Sequence, residues 1–508
     1  MKLSTALAVL IAIQRHGHRI RMCASASADD HERKLRINQD EAAKRVNDAV
    51  DLAKASAYAG DVHGVALPLN YVHLSANYGN SQLLTVALRL PGVDRDQHVM
   101  VDTGSSSLAF CNESLAEEAV NITKTDYAQC REYGDDSTCP DVPASNLYHL
   151  SNVFFVGQVF QGKIAAYDIS NGKEIAPMDD VNFVIMSKQQ MGFCNGPLDG
   201  IIGVAYTALN YVVEIPSPDF DASTLWLPVC ESDGESVGRC NTGMMNMTRL
   251  PSPLQKSLQG GVDSGYNSVE AFGLYCDYAT AFGSKTDTII PSLGAYFGGD
   301  VALNNSFYNS GTPQIATSSK CENESKYYNL NLNTITVPGL NNTPHSGFNC
   351  NACDGNCFTD SGNSDIELPL PTDVCEELSS TNPDTLKEMG SLLLDLEGVN
   401  GSTITLSLPL IWLHGLQKQK VLGKFECTGA SGDFVLGMPI YQIYYLVYDM
   451  GNNTVTFVDL QLSNETEAFI DGPKTKKEPS TGYRHTGRPS TDIFVLASLL
   501  LLAWEYIF

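Results

Sequence analysis

Residues 98–110 read HVMVDTGSSSLAF, and residues 356–369 read NCFTDSGNSDIELP. Each stretch carries an apolar run into an Asp-Thr/Ser-Gly turn, at Asp102-Thr103-Gly104 and at Asp360-Ser361-Gly362, with the two aspartates 258 residues apart. Each turn is followed within its own half by an apolar run ending in Gly, LDGIIGVAY (Leu198 to Tyr206) and DFVLGMPIY (Asp433 to Tyr441). One Asp-Thr-Gly occurs by chance in many chains. A turn and its glycine-ended partner, repeated in the same order, marks an internal duplication.

Duplicated carboxylates have a direct chemical reading. Two carboxyls about 3 Å apart cannot both ionise easily, so they share a proton. The ionised one can take a proton from water attacking a peptide carbonyl. The protonated one can donate to the carbonyl oxygen, and the proton later passes to the leaving amine. Thr103, Ser105 and Ser361 place small hydroxyls beside the carboxyls, and Gly104 and Gly362 let backbone approach them closely. This chemistry calls for no metal and no cofactor, and none is expected.

The composition suits the same reading. In 508 residues, 32 Lys+Arg stand against 58 Asp+Glu, a formal charge of −26 that repels phosphate backbones and argues against nucleic-acid partners. With 42 Gly, 23 Pro, 22 Tyr and 19 Phe, the chain favours short strands and turns over long helices. From about Val65 to Leu460 short apolar runs alternate with Gly, Pro, Asn and Ser, so a mainly β fold is expected there.

The ordered set of motifs resembles the pepsin family of aspartic endopeptidases, in texture its membrane-anchored members, such as beta-secretase and the yapsins, more than gastric pepsin. Besides the two turns, SVEAFGLYC (Ser268 to Cys276) with GAYFGGD (Gly294 to Asp300), KYYNLNLNTITVPG (Lys326 to Gly339) and FVLGMPIYQIYYLVYDMGNNTVTFVD (Phe434 to Asp459) carry the likeness, which covers roughly residues 65–460. The resemblance implies two β-rich lobes, 65–285 and 286–470, each donating one aspartate to a cleft that holds an extended polypeptide. It implies Asp102 and Asp360 as the catalytic pair and a zymogen whose prosegment is residues 29–64; a monomer is expected. It also implies a bridge between Cys375 and Cys427.

Three positions depart from the family pattern. Asn363 follows the second turn where a hydroxyl is usual, and is expected to support Asp360 through its amide. FFVGQVFQGKIAAYD (Phe154 to Asp168) fits the flap over the cleft, placing Phe155 where Tyr is usual and Phe160 where some members have Trp. Tyr133, in REYGDDS, is the alternative flap residue, though no strand follows it directly. Met438-Pro439 replaces a common acidic residue. Asn363 and Phe155 are also the features that would suit a catalytically inactive, peptide-binding relative.

Fourteen cysteines and nine Asn-X-Ser/Thr triplets, from Asn112 to Asn464, point to the secretory pathway. Cys350, Cys353 and Cys357 are expected in disulfides to distant partners rather than on a metal, and Cys230 with Cys240 is expected to close a loop. Residues 1–28 have the parts of a signal peptide, with an apolar run at Leu3 to Ile13. Residues 471–492 form a basic, Pro/Gly-rich linker. The final sixteen residues, 493–508, are apolar except for Ser498 and Glu505 and span about 24 Å as a helix, short of a hydrocarbon core of about 30 Å. A glycolipid-anchor signal, a short membrane anchor and a buried helix are the open readings, the first two attaching the protein to a membrane by its C-terminus at the cell surface or in an endosomal or vacuolar compartment.

Overall fold

The computed structural model describes residues 65–73, 82–133, 153–167, 174–190, 194, 197–217, 219–232, 235–243, 245–263, 269–276, 289–297, 302–303, 308, 311–339, 344–419 and 424–459. All of them fall within one compact unit, Met1–Thr466. The readings placed on residues 1–28, 29–64, 471–492 and 493–508 lie outside the described residues. Among the described residues no helix is long and apolar enough to cross a membrane.

Strands dominate. The longest described helix is Pro253–Asp263, while the hairpin strands Val153–Tyr167 and Glu174–Gln190 run for 15 and 17 residues. A platform of antiparallel strands joins the two halves. Val65–His73 pairs with Ile289–Phe297, which pairs with Ala271–Leu274; that strand pairs with Tyr444–Asp449, then Thr454–Asp459, then Pro313–Cys321. Strand Tyr444–Asp449 (YYLVYD) is aromatic and aliphatic up to its final Asp449 because it is covered on both faces: every residue but Asp449 is buried. Strand Ser391–Glu397, by contrast, alternates, burying Leu392, Leu394 and Leu396 and leaving the residues between them partly open.

Five described disulfides fasten this frame: Cys111–Cys194, Cys130–Cys240, Cys321–Cys353, Cys350–Cys357 and Cys375–Cys427. The expected Cys230–Cys240 loop does not form. In the hairpin of Trp226–Ser232 and Glu235–Cys240, Cys230 lies opposite Val237 while Cys240 lies opposite Trp226, so the two cysteines are out of register, and Cys240 bonds to Cys130. Of the Cys350, Cys353 and Cys357 cluster, Cys353 reaches Cys321, but the other two join each other across 7 residues instead of finding the distant partners expected of them; among the described residues no group of side chains could hold a metal ion. Cys375–Cys427 ties helix Thr372–Ser380 to strand Lys424–Cys427 across a separation of 52 residues. Replacing both with Ser is expected to lower stability by about 2–4 kcal/mol, chiefly by freeing the unfolded chain; a thermal melt unchanged by the double substitution would contradict this.

Candidate active site

The two aspartates are delivered by the same local construction. Strand Gln97–Asp102 runs parallel to Gly200–Gly203, with Asp102 opposite Gly203. The chain then turns and returns as Leu108–Phe110, antiparallel on the other side of Gly200–Gly203. In the second half Cys357–Asp360 runs parallel to Phe434–Gly437, with Asp360 opposite Gly437, and Asp365–Leu368 returns antiparallel on the far side of Phe434–Gly437. The glycine-ended strand is therefore the middle strand of each set, buried on both faces.

Its terminal glycine has a steric cause. A Cβ on Gly203 would stand 2.4 Å from the Ser105 carbonyl carbon, and one on Gly437 would stand 2.0 Å from the Asp365 carbonyl oxygen. Any side chain there would push the aspartate turn off its strand.

The turns grip each other across the halves. Thr103 N–H donates to Ser361 Oγ at 3.1 Å, and Ser361 N–H donates to Thr103 Oγ1 at 2.8 Å. Each hydroxyl then donates onward into the opposite half, Thr103 Oγ1 to Thr359 O at 3.0 Å and Ser361 Oγ to Val101 O at 2.7 Å. All of these side chains are fully buried, so the ring is shielded from competing water. Within each turn the glycine amide holds its own aspartate: Gly104 N–H donates to Asp102 Oδ1 at 2.7 Å and Gly362 N–H to Asp360 Oδ1 at 2.8 Å.

The same glycines make room for the opposite carboxyl. A Cβ on Gly104 would lie 2.9 Å from Asp360 Oδ2, and one on Gly362 would lie 2.6 Å from Asp102 Oδ1. The carboxyls thus converge, and Asp102 and Asp360 share a hydrogen bond. Asp102 is buried; Asp360 keeps part of its surface open, but protein packed around its carboxyl still desolvates it. That desolvation, then the charge of Asp102 and the hydrogen bond to it, raise the Asp360 carboxyl well above the usual carboxylate range, against the opposing pull of the Gly362 amide.

This is the pepsin-like fold. It is mainly β, with two halves and one aspartate from each. No family model matches the chain, and no curated protein matches it. Among solved structures, the chain is similar to the aspartic proteinase from Irpex lacteus, at 14% identity and a TM-score of 0.49, over 79% of this chain and 98% of that one.

Within this pepsin-like frame, some side chains expected near the dyad sit elsewhere. Ser105 is fully buried, but its Oγ has no hydrogen-bond partner among the described residues; its carbonyl accepts from Ala205 N–H at 2.7 Å, binding the turn to the glycine-ended segment instead. Asn363 does not turn to Asp360. Its Nδ2 donates to Glu367 Oε1 and its Oδ1 accepts from Asp365 N–H, both at 2.8 Å, the local bonding to which Asn is prone in turns.

The aromatic flap reading is also corrected. Strand Val153–Tyr167 is sandwiched, with Phe155 and Val159 packed in one core cluster and Val156 in another. Phe155 is fully buried among Leu83, Met100 and Ile201, and Phe160 is 9% exposed and stacks on Phe183, with ring centroids 6.2 Å apart. Both are packing positions. Tyr133, the alternative, ends strand Thr123–Tyr133 and pairs with Val153, so the strand absent directly after REYGDDS is supplied by Val153–Tyr167. The inserted residues between them hid that pairing.

Sequence reasoning missed the floor of the site. The buried phenols of Tyr441 and Tyr448 meet at 2.6 Å beneath Thr103 and Thr359, and burial raises both well above the ordinary phenol value. Tyr328 Oη donates to Val204 O at 2.6 Å, while Val204 N–H donates to Asp102 O at 2.8 Å, a second link between the halves. Tyr327 packs against Phe358 with the rings tilted at 45° and centroids 5.2 Å apart, and feels both aspartates as well as Arg131. The crowded aromatics of KYYNL and YYLVYD were the available signal, but they read equally as ordinary core.

Proposed function

We propose that this chain is an aspartic-type endopeptidase. The observation that carries the reading is the pair of converging carboxyls, Asp102 and Asp360, held by mirrored turns; in the proposed mechanism the pair carries one proton. Water bound between them loses a proton to the ionised carboxyl and attacks the peptide carbonyl; the protonated carboxyl donates to the carbonyl oxygen. Collapse of the gem-diol intermediate breaks the C–N bond: the carboxyl that took the water proton gives it to the leaving amine, while a diol hydroxyl returns a proton to the other carboxylate as the C=O bond reforms, so the pair ends singly protonated. Thr103, Ser361, Gly104 and Gly362 hold that geometry without entering the reaction.

The substrate is a polypeptide in extended conformation, and the enzyme acts as a monomer made as a zymogen with residues 29–64 as prosegment. Passage through the secretory pathway is supported by the five described disulfides and by the exposure of Asn112, Asn121, Asn246, Asn323, Asn400 and Asn452, six of the glycosylation triplets. The C-terminal linker and apolar tail support attachment to a membrane, as in the beta-secretase and yapsin type.

Peptide cleavage by the protein freed of residues 29–64 is expected to peak at acid pH and to fall as the pair loses its shared proton. It is expected to be blocked by pepstatin. Pepstatin binding without turnover would favour the peptide-binding relative, a reading that the diversion of Asn363 supports; no binding at any pH would defeat both.

A further inference from the structure

Asn363 is the side chain after the second aspartate turn, and it is tied at four points. Its N–H donates to Asp360 O at 3.2 Å, its carbonyl accepts from Met438 N–H at 2.6 Å, its Oδ1 accepts from Asp365 N–H at 2.8 Å, and its Nδ2 donates to Glu367 Oε1 at 2.8 Å. Three of these are backbone contacts of the turn, of the glycine-ended strand and of the returning strand. The fourth depends on one side chain, Glu367. That residue lies on Asp365–Leu368, on the face opposite buried Ile366 and Leu368, and it is half-buried.

We propose that Glu367 is a positioning residue for the hydrolysis proposed above, holding through Asn363 the turn that carries Asp360 and setting a third carboxylate beside the dyad. The inference rests on that reading of the dyad. No part of it needs Glu367 to touch substrate.

The charged surroundings of Glu367 define what it does. Asp365 precedes it on its own strand, Glu426 lies opposite it on Lys424–Cys427, Asp433 leads into Phe434–Gly437, and Asp360 lies across the turn. The cation here, Lys424, is 3.6 Å from both Asp365 and Glu426. Burial first, and then Asp365, Asp433 and Glu426, raise Glu367, while the Asn363 amide opposes them. Once ionised, Glu367 disfavours ionisation of Asp360 and so helps the pair keep its proton to higher pH.

The test is the pH profile of kcat/KM between pH 3 and 7 for the wild type, Glu367→Gln, Glu367→Ala and Asp360→Asn. Gln keeps an acceptor for Asn363 and removes the charge, so the alkaline limb is expected to move to lower pH by about 0.5–1 unit. Ala removes the acceptor as well, and is expected to add a fall in kcat of about tenfold with little change in KM. Should the Ala variant not fold, the Gln profile decides alone. A Gln profile that superimposes on an active wild type, with Asp360→Asn inactive, overturns this inference and leaves the proposed function standing. An inactive wild type overturns both.

Discussion

Replacing Asp360 with Asn is expected to lower kcat for peptide hydrolysis by about 10³–10⁴-fold while leaving the fold intact, and Asp102→Asn is expected to do the same. Asn fills the same space and still accepts the Gly362 amide bond seen at 2.8 Å, but it can neither hold nor release the shared proton. A second consequence runs the other way. Folding raises Asp360 above its ordinary range, so the folded chain binds that proton more tightly than the unfolded one. The stability gained is full below the ordinary carboxylate range and is lost as pH rises through the raised folded value. Asn cannot ionise and escapes that loss. Asp360→Asn is therefore expected to melt above the wild type at neutral pH and closer to it at pH 3–4, with catalysis lost throughout. Turnover within tenfold of wild type would remove Asp360 from the chemistry, and identical melts at pH 7 would remove the argument from burial.

Thr103→Val is expected to cost about 2–6 kcal/mol of stability although the two side chains have nearly the same shape. It strips the acceptor from buried Ser361 N–H and the donor from Thr359 O, and each orphaned buried group costs about 1–3 kcal/mol. Ser361→Ala breaks the mirrored pair of bonds, to Thr103 N–H and Val101 O. Because both substitutions open one closed ring, the double variant is expected to be destabilised by clearly less than the sum of the two. Additive losses in denaturant or thermal unfolding would show that the two hydroxyls act independently. Activity is expected to fall in each variant, since the ring sets the distance between the carboxyls.

The duplicated turns and glycine-ended runs were legible in the sequence because they are short patterns with one steric solution. A strand must pass within contact distance of a turn, and only Gly203 and Gly437 permit it. The cross-bonding of Thr103 and Ser361 was not legible, since it depends on how two distant halves meet. Asn363 was misjudged for the opposite reason: its partners, Asp365 and Glu367, lie two and four residues away, and such local bonds overrode the expected reach toward Asp360. Cys240 was assigned by proximity in sequence, whereas strand register decides which cysteines face each other. The reading of Phe155 failed because a large aromatic in a strand looks the same whether it faces a cleft or a core.

The reciprocal ring between residues 103 and 361 also bears on how the protein is made. The ring and the dyad exist only when segments 258 residues apart have met, and Asp360 further depends on strand Phe434–Gly437. A chain emerging from the ribosome at about 5–20 residues per second can fold its first half long before that strand is synthesised. Throughout that interval it holds a single aspartate turn with no counterpart. If the dyad acts as proposed, assembly order withholds it from the growing polypeptide until nearly all of the fold is complete, a delay that needs no inhibitor.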